Sequence, residues 1–113
     1  MDDLKLDGGI LWMSKIVKGI KEAVGQNFPV TCRLGVRQYI KAPGETGVDG
    51  EDYPEYGRTL EESIYVAKKL AEAGYDAIYL GNGTYDSFYW LYPPMYQKEG
   101  LWLDDISKLT AEI

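Results

Sequence analysis

Apolar residues recur at helical spacing between Ile10 and Val24, where Met13, Ile16, Val17, Ile20 and Val24 form one stripe against Lys15, Lys18, Lys21 and Glu22. Gly25 follows as a C-cap, and Asn27-Phe28-Pro29 turns the chain into a strand. From Val30 to Val36 the period becomes two, with Val30, Cys32, Leu34 and Val36 on one face and Thr31, Arg33 and Gly35 on the other. Thr59 and Glu62 stand in capping-box spacing at the head of a second helix that runs through Leu60, Ile64, Ala67, Leu70 and Ala71 to Gly74. After a short link, Asp76 to Leu80 reads as a buried strand. Leu103, Ile106 and Leu109 are spaced for a final short helix within Leu101–Ile113. The order α-β-α-β-α predicts two adjacent parallel strands joined by a crossover helix.

Two stretches break this regularity. Arg37 to Gly57 contains Gly44, Gly47, Gly50, Gly57, Pro43, Pro54 and five carboxylates, the composition of a long loop, which suits either a solvated insertion or a functional segment. Phe88 to Tyr96, FYWLYPPMY, is too dense in aromatics for ordinary surface, and its prolines oppose a regular helix or central strand. It fits a substrate-side wall, a core segment or an oligomer contact. With only two strands and both their edges open, self-association is the expectation.

The run from Gly57 to Gln97 is one repeat of an α/β barrel, yet a complete (β/α)8 barrel takes about 250 residues and the chain has 113. The expected fold is therefore an α/β partial (β/α)8 TIM barrel, a single domain over residues 1–113, completed by oligomerisation. The formal charge of -6, with no Lys/Arg stripe, argues against nucleic acid as a partner. An acidic N-terminus and short apolar runs argue against a signal peptide or a membrane span, leaving the cytoplasm as the default location. One cysteine and no histidine exclude an intrachain disulfide, a Cys/His metal cluster and histidine-based nucleophile systems. Chemistry then falls to carboxylates, tyrosines, Arg, Lys or a cofactor.

The phrases KIVKGIKEAVGQNFPVTCRLGV and GRTLEESIYVAKKLAEAGYDAIYLGNGTYDSFYWLYPPMYQ resemble the flavin-dependent oxidoreductases of the Old Yellow Enzyme family, in particular the 2-enoate reductase and 2,4-dienoyl-CoA reductase branch. The likeness covers roughly residues 14 to 103. It implies an FMN-binding TIM barrel of which this chain supplies about the fourth and fifth strands, with NAD(P)H as reductant and a small enoate or enone as substrate. It also implies that Arg33 is cofactor-binding, meeting the N1/C2-carbonyl edge of the isoalloxazine, where a fixed guanidinium stabilises developing negative charge. Where the dienoyl-CoA reductase branch holds an acid/base histidine this chain has GNGTYD, so the catalytic position falls to Tyr85 or Asp86. The four-cysteine iron-sulfur segment of that branch has no counterpart here, and no metal site is expected. As an isolated chain, the segment is expected to be inactive or a self-associating remnant unless a barrel is rebuilt from copies or a partner.

Other features read more plainly. Without the resemblance, Arg33 is a structural salt-bridge residue, and Cys32 is a small core residue. Gly81-x-Gly83 lacks the third glycine of a dinucleotide fingerprint. Glu61, Glu62, Asp104 and Asp105 are helix-start carboxylates suited to the macrodipole.

Overall fold

The computed structural model describes residues 3–113; Met1 and Asp2, the start of the acidic N-terminal stretch, lie outside the described residues. The chain runs α1 (Asp3–Val24), β1 (Thr31–Gly35), β2 (Ile40–Ala42), β3 (Glu45–Thr46), α2 (Leu60–Ala73), β4 (Ala77–Gly81), a 3-10 turn (Tyr85–Ser87), α3 (Phe88–Leu91) and α4 (Leu103–Thr110). The predicted parallel pair is present: β1 lies beside β4 from Thr31↔Ala77 through Arg33↔Tyr79 to Gly35↔Gly81.

The period-two pattern of β1 places its apolar set as expected. Val30, Leu34 and Val36 are buried, and Cys32, Ile78 and Leu80 pack against the same core. The other side of the sheet carries Thr31, Arg33, Ala77 and Tyr79, all exposed. Helices cover only the apolar side: Leu6 and Val17 of α1, Val66, Ala67 and Leu70 of α2, and Leu109 of α4 complete the cluster. Asp76 pins the start of both strands, its carboxylate accepting from the Val30 amide at 2.8 Å and from the Lys21 ammonium at 2.8 Å.

Helix α2 forms as its end signals dictate. The Thr59 hydroxyl accepts from the Glu62 amide at 3.2 Å, the Glu62 carboxylate accepts from the Thr59 amide at 2.7 Å, and Gly74 closes the helix in the left-handed region at φ 113°. Thr59→Ala is expected to lower stability by about 1 kcal/mol, read as a shift of the urea midpoint at unchanged slope.

Three expectations need correction. Helix α1 begins well before Ile10, because Leu6 extends the stripe Ile10, Met13 and Val17 by one turn; Ile16, Ile20 and Val24 stay partly exposed beside it. The long loop is not featureless. It holds a small antiparallel hairpin, β2 with β3, turned at Gly44 (φ 73°). The Glu55 carboxylate organises that segment, accepting from the amides of Tyr39 (2.9 Å), Ile40 (2.8 Å) and Gly57 (3.1 Å) beside the Arg37 guanidinium (3.6 Å). The third correction concerns the aromatic run, whose first residues form α3 and send Trp90 into the interior, while Phe88, Tyr92, Met95 and Tyr96 remain exposed. Among the described residues no helix is long and apolar enough to cross a membrane.

Candidate functional site at the strand ends

Both parallel strands end on glycine, and Gly35 and Gly81 are register partners. The last register pair of the sheet thus carries no side chain of its own, and the guanidinium groups of Arg58 and Arg33 lie beside it. Beside it lies a cavity of about 370 Å3, lined by Arg33, Gln38, Arg58, Tyr85, Leu91 and Tyr92 together with Gly35 and the segment Gly81 to Thr84. Ligands of parallel α/β sheets bind at this end, where chains leaving adjacent strands diverge.

Arg33 projects from the exposed face of β1. Its guanidinium lies beside Gly81, where an added Cβ would stand 3.5 Å from it, and its Cζ is 5.7 Å from the centre of the Tyr79 ring. Arg58, just ahead of α2, reaches the end of β1: it donates through Nη2 to the Gly35 carbonyl and through Nε to Ser63 Oγ at 2.9 Å. Burial pulls the Arg58 pKa down, opposed by the nearby Glu62 charge. Tyr85 rises from the 3-10 turn and is 86% exposed. Arg33 and Tyr85 therefore share one cavity, whereas Asp86, equally part of the turn, is exposed and does not line it.

A buried polar cluster supports the loops that carry these residues. The Tyr39 hydroxyl donates to Asp105 at 2.5 Å, the Asn82 amide donates to the same carboxylate oxygen at 3.1 Å, and the Asn82 carbonyl oxygen accepts from the Arg37 amide at 3.1 Å. The loop after β1, the loop after β4 and helix α4 thus meet at one carboxylate. Asp105 stands in the first turn of α4, as its helix-start reading has it, and is in addition buried, 8% exposed beside Asn82 at 1%. Burial pushes the Tyr39 phenol well up, and the hydrogen bond to Asp105 acts in the same direction. Tyr39 has φ 58°, a conformation costly for a side-chain-bearing residue. It is held there by stacking on Trp90, with ring centres 3.9 Å apart and planes 8° from parallel, and by the Arg37 guanidinium 4.5 Å from the ring on which it rests. Trp90 Nε1 donates to the Gly47 carbonyl at 2.7 Å, which ties the hairpin to the same cluster.

Sequence reasoning missed Arg58, Asn82, Tyr39 and Asp105. A signal existed for Asp105: it stands four residues before Leu109, on the apolar side of α4, where a carboxylate needs buried partners. Cys32 matches its plain reading, since it packs against the core and burial raises its thiol pKa.

A parallel strand pair with an arginine-lined cavity at its carboxyl end has the geometry at which α/β sheets bind ligands. Cinnamate reductase of Clostridium sporogenes is 43% identical over 110 residues, a match covering 96% of this chain and 16% of that protein. NADH oxidase of Thermoanaerobacter brockii is 31% identical over 86 residues, covering 76% of this chain and 11% of that protein. The chain is a relative of these enoate-reductase-like proteins of the Old Yellow Enzyme type and corresponds to a short segment of them. No family model matches the chain, and no solved structure does.

Proposed function

We propose that the chain forms the central part of the active-site scaffold of a flavin-dependent oxidoreductase that reduces activated C=C bonds with NAD(P)H. The observation that carries this reading is the 43% identity to cinnamate reductase across nearly the whole chain, and NADH oxidase as a second relative agrees with a nicotinamide reductant. The residues at the strand ends fit a flat, electron-accepting ring. The paired glycines let the Arg33 and Arg58 guanidinium groups lie close against the strand ends, and Arg33 has no ion-pair partner among the described residues. FMN, when bound, supplies the hydride transfer.

In this reading Arg33 holds positive charge at the pyrimidine edge of that ring, where negative charge develops during reduction. Tyr85 borders the same space, and in this reading it delivers a proton to the reduced substrate carbon. Asp86, outside the cavity, would act only through the setting of the turn. The open sheet face and the unpaired edges of β1 and β4 favour a barrel completed by further polypeptide, as copies or a partner.

The test is size-exclusion chromatography with light scattering on protein incubated with FMN, following mass and visible absorption together. Flavin is expected to co-elute with an assembled species, and Arg33→Ala should weaken its retention by about ten-fold or more, the worth of one charge-assisted hydrogen bond. Flavin absent from every protein peak, or retained equally by Arg33→Ala, would overturn the reading.

A further inference from the structure

We propose that the outer face of α1 is a contact surface for a second copy of this chain, the two helices crossing antiparallel beside Gly19 so that Lys15 of each copy meets Glu22 of the other. This contact does not rest on the oxidoreductase reading.

Helix α1 carries more apolar surface than its own core uses. Leu6, Ile10, Met13 and Val17 pack inward, whereas Trp12 turns away from them at 66% exposure, followed one and two turns later by Ile16 and Ile20, each at 36%. A tryptophan in line with two isoleucines at i+4 and i+8 is the stripe of a helix that packs on both sides. Among the described residues nothing covers this second side.

Gly19 lies on the same stripe, inside the helix. Glycine weakens a helix relative to alanine, and the chain's own packing does not require it here, since an added Cβ would meet nothing within 4 Å. Another helix approaching this face would require it, because a missing side chain lets two backbones come close.

Charge and shape identify the occupant as a second copy. Lys15 and Glu22 are exposed and flank the stripe on one side, seven residues apart. Lys15 has no ion pair among the described residues, and Glu22 has Lys18 only at 4.0 Å, the outer limit of such a pair. In an antiparallel twofold pair the same flank of each helix faces itself, and contacts come in reciprocal sets. An axis midway between positions 15 and 22 passes beside Gly19 and sets each Lys15 against the opposite Glu22. The same axis brings Trp12 of one copy against Ala23 of the other, large against small, and Ile16 against Ile20. Neither a lipid surface nor an unrelated protein calls for opposite charges matched about an axis.

The experiment is sedimentation velocity on the whole chain without flavin, from micromolar to millimolar concentration. The samples are the parent, Lys15→Glu, Glu22→Lys and an equimolar mixture of the two variants, with circular dichroism to confirm that each keeps its helices. The parent is expected to dimerise. Each variant sets like charges together at both ends of the contact and should dimerise at least about ten-fold more weakly. In the mixture every reversed charge meets its complement, so heterodimers should form with about the parental affinity. Gly19→Ala should raise thermal stability and weaken dimerisation together, which a glycine serving only its own helix would not do. If a variant does not fold, the unaltered protein decides: with copies carrying light and heavy nitrogen, carbodiimide coupling should join Lys15 of one to Glu22 of the other.

A parent that stays monomeric, association unchanged by both reversals, a mixture no tighter than its components, or coupled copies never joined through Lys15 and Glu22 would each overturn the proposal. Association unchanged by the reversals would move the contact to the open strand edges or the exposed aromatics. A monomer that gathers on phosphatidylglycerol vesicles would give the face to a membrane surface. None of these outcomes depends on flavin uptake, so this contact and the oxidoreductase reading can fail separately.

Discussion

Gly83→Ala is expected to be among the most damaging single-methyl changes in the chain, costing about 3 kcal/mol and releasing α3 from the strand end. Gly83 has φ 74°, and an added Cβ would stand 2.5 Å from the Leu91 nitrogen and 2.9 Å from the Leu91 Cα and the Trp90 carbonyl carbon. The obstacle is backbone, so no rotamer change relieves it. Gly83 also donates its amide to the Arg37 carbonyl at 2.9 Å, and moving it would separate the loops that follow β1 and β4. Urea unfolding followed by tryptophan fluorescence checks the result: the midpoint should fall, and the native spectrum should shift as Trp90 meets water. A variant as stable as the parent would show that α3 is free to move.

The second large effect is expected at Asp105. Asp105→Leu removes the acceptor shared by the Tyr39 hydroxyl and the Asn82 amide. Each buried donor left without a partner costs about 1–3 kcal/mol, partly offset because the desolvated carboxylate is gone. The net loss should be about 3 kcal/mol. Asp105→Asn keeps one acceptor oxygen of nearly the same shape and should cost about half as much. Amide hydrogen exchange localises the effect: the Arg37 amide, which donates to Asn82, should lose protection before the α2 amides do. If both variants lose the same stability, the oxygen retained by Asn contributes nothing and the hydrogen-bond account of the loss fails.

These two positions mark where sequence reading succeeded and where it ran out. The second helix was legible at both ends because its signals are local: Thr59 meets Glu62 three residues on, and Gly74 supplies the left-handed cap. The parallel pair was legible from alternation in Val30 to Val36 and a short apolar run at β4. The hairpin was not, since β2 and β3 are too short to show a period and are held by Glu55, a residue that composition alone assigns to an acidic loop. The site was legible in part. Arg33 and Tyr85 were singled out beforehand and share a cavity, while Arg58 carries no motif and becomes conspicuous only when the ends of β1 and β4 are seen together. The helix-start position of Asp105 was legible but its burial was not, because the partners that bury it lie 66 and 23 residues away.

The convergence of three separate segments on the Asp105 carboxylate also sets the smallest portion of this scaffold that can be transplanted. A chimaera that moves β1, α2 and β4 with their loops into another α/β scaffold, but stops before α4, would carry Tyr39 and Asn82 without the oxygen that unites them. Its loops would have to find new support from the host. Loop exchange at this site is therefore an exchange of loops together with the helix behind them, and the useful crossover lies beyond Leu109, whose side chain is fully buried against the shared core.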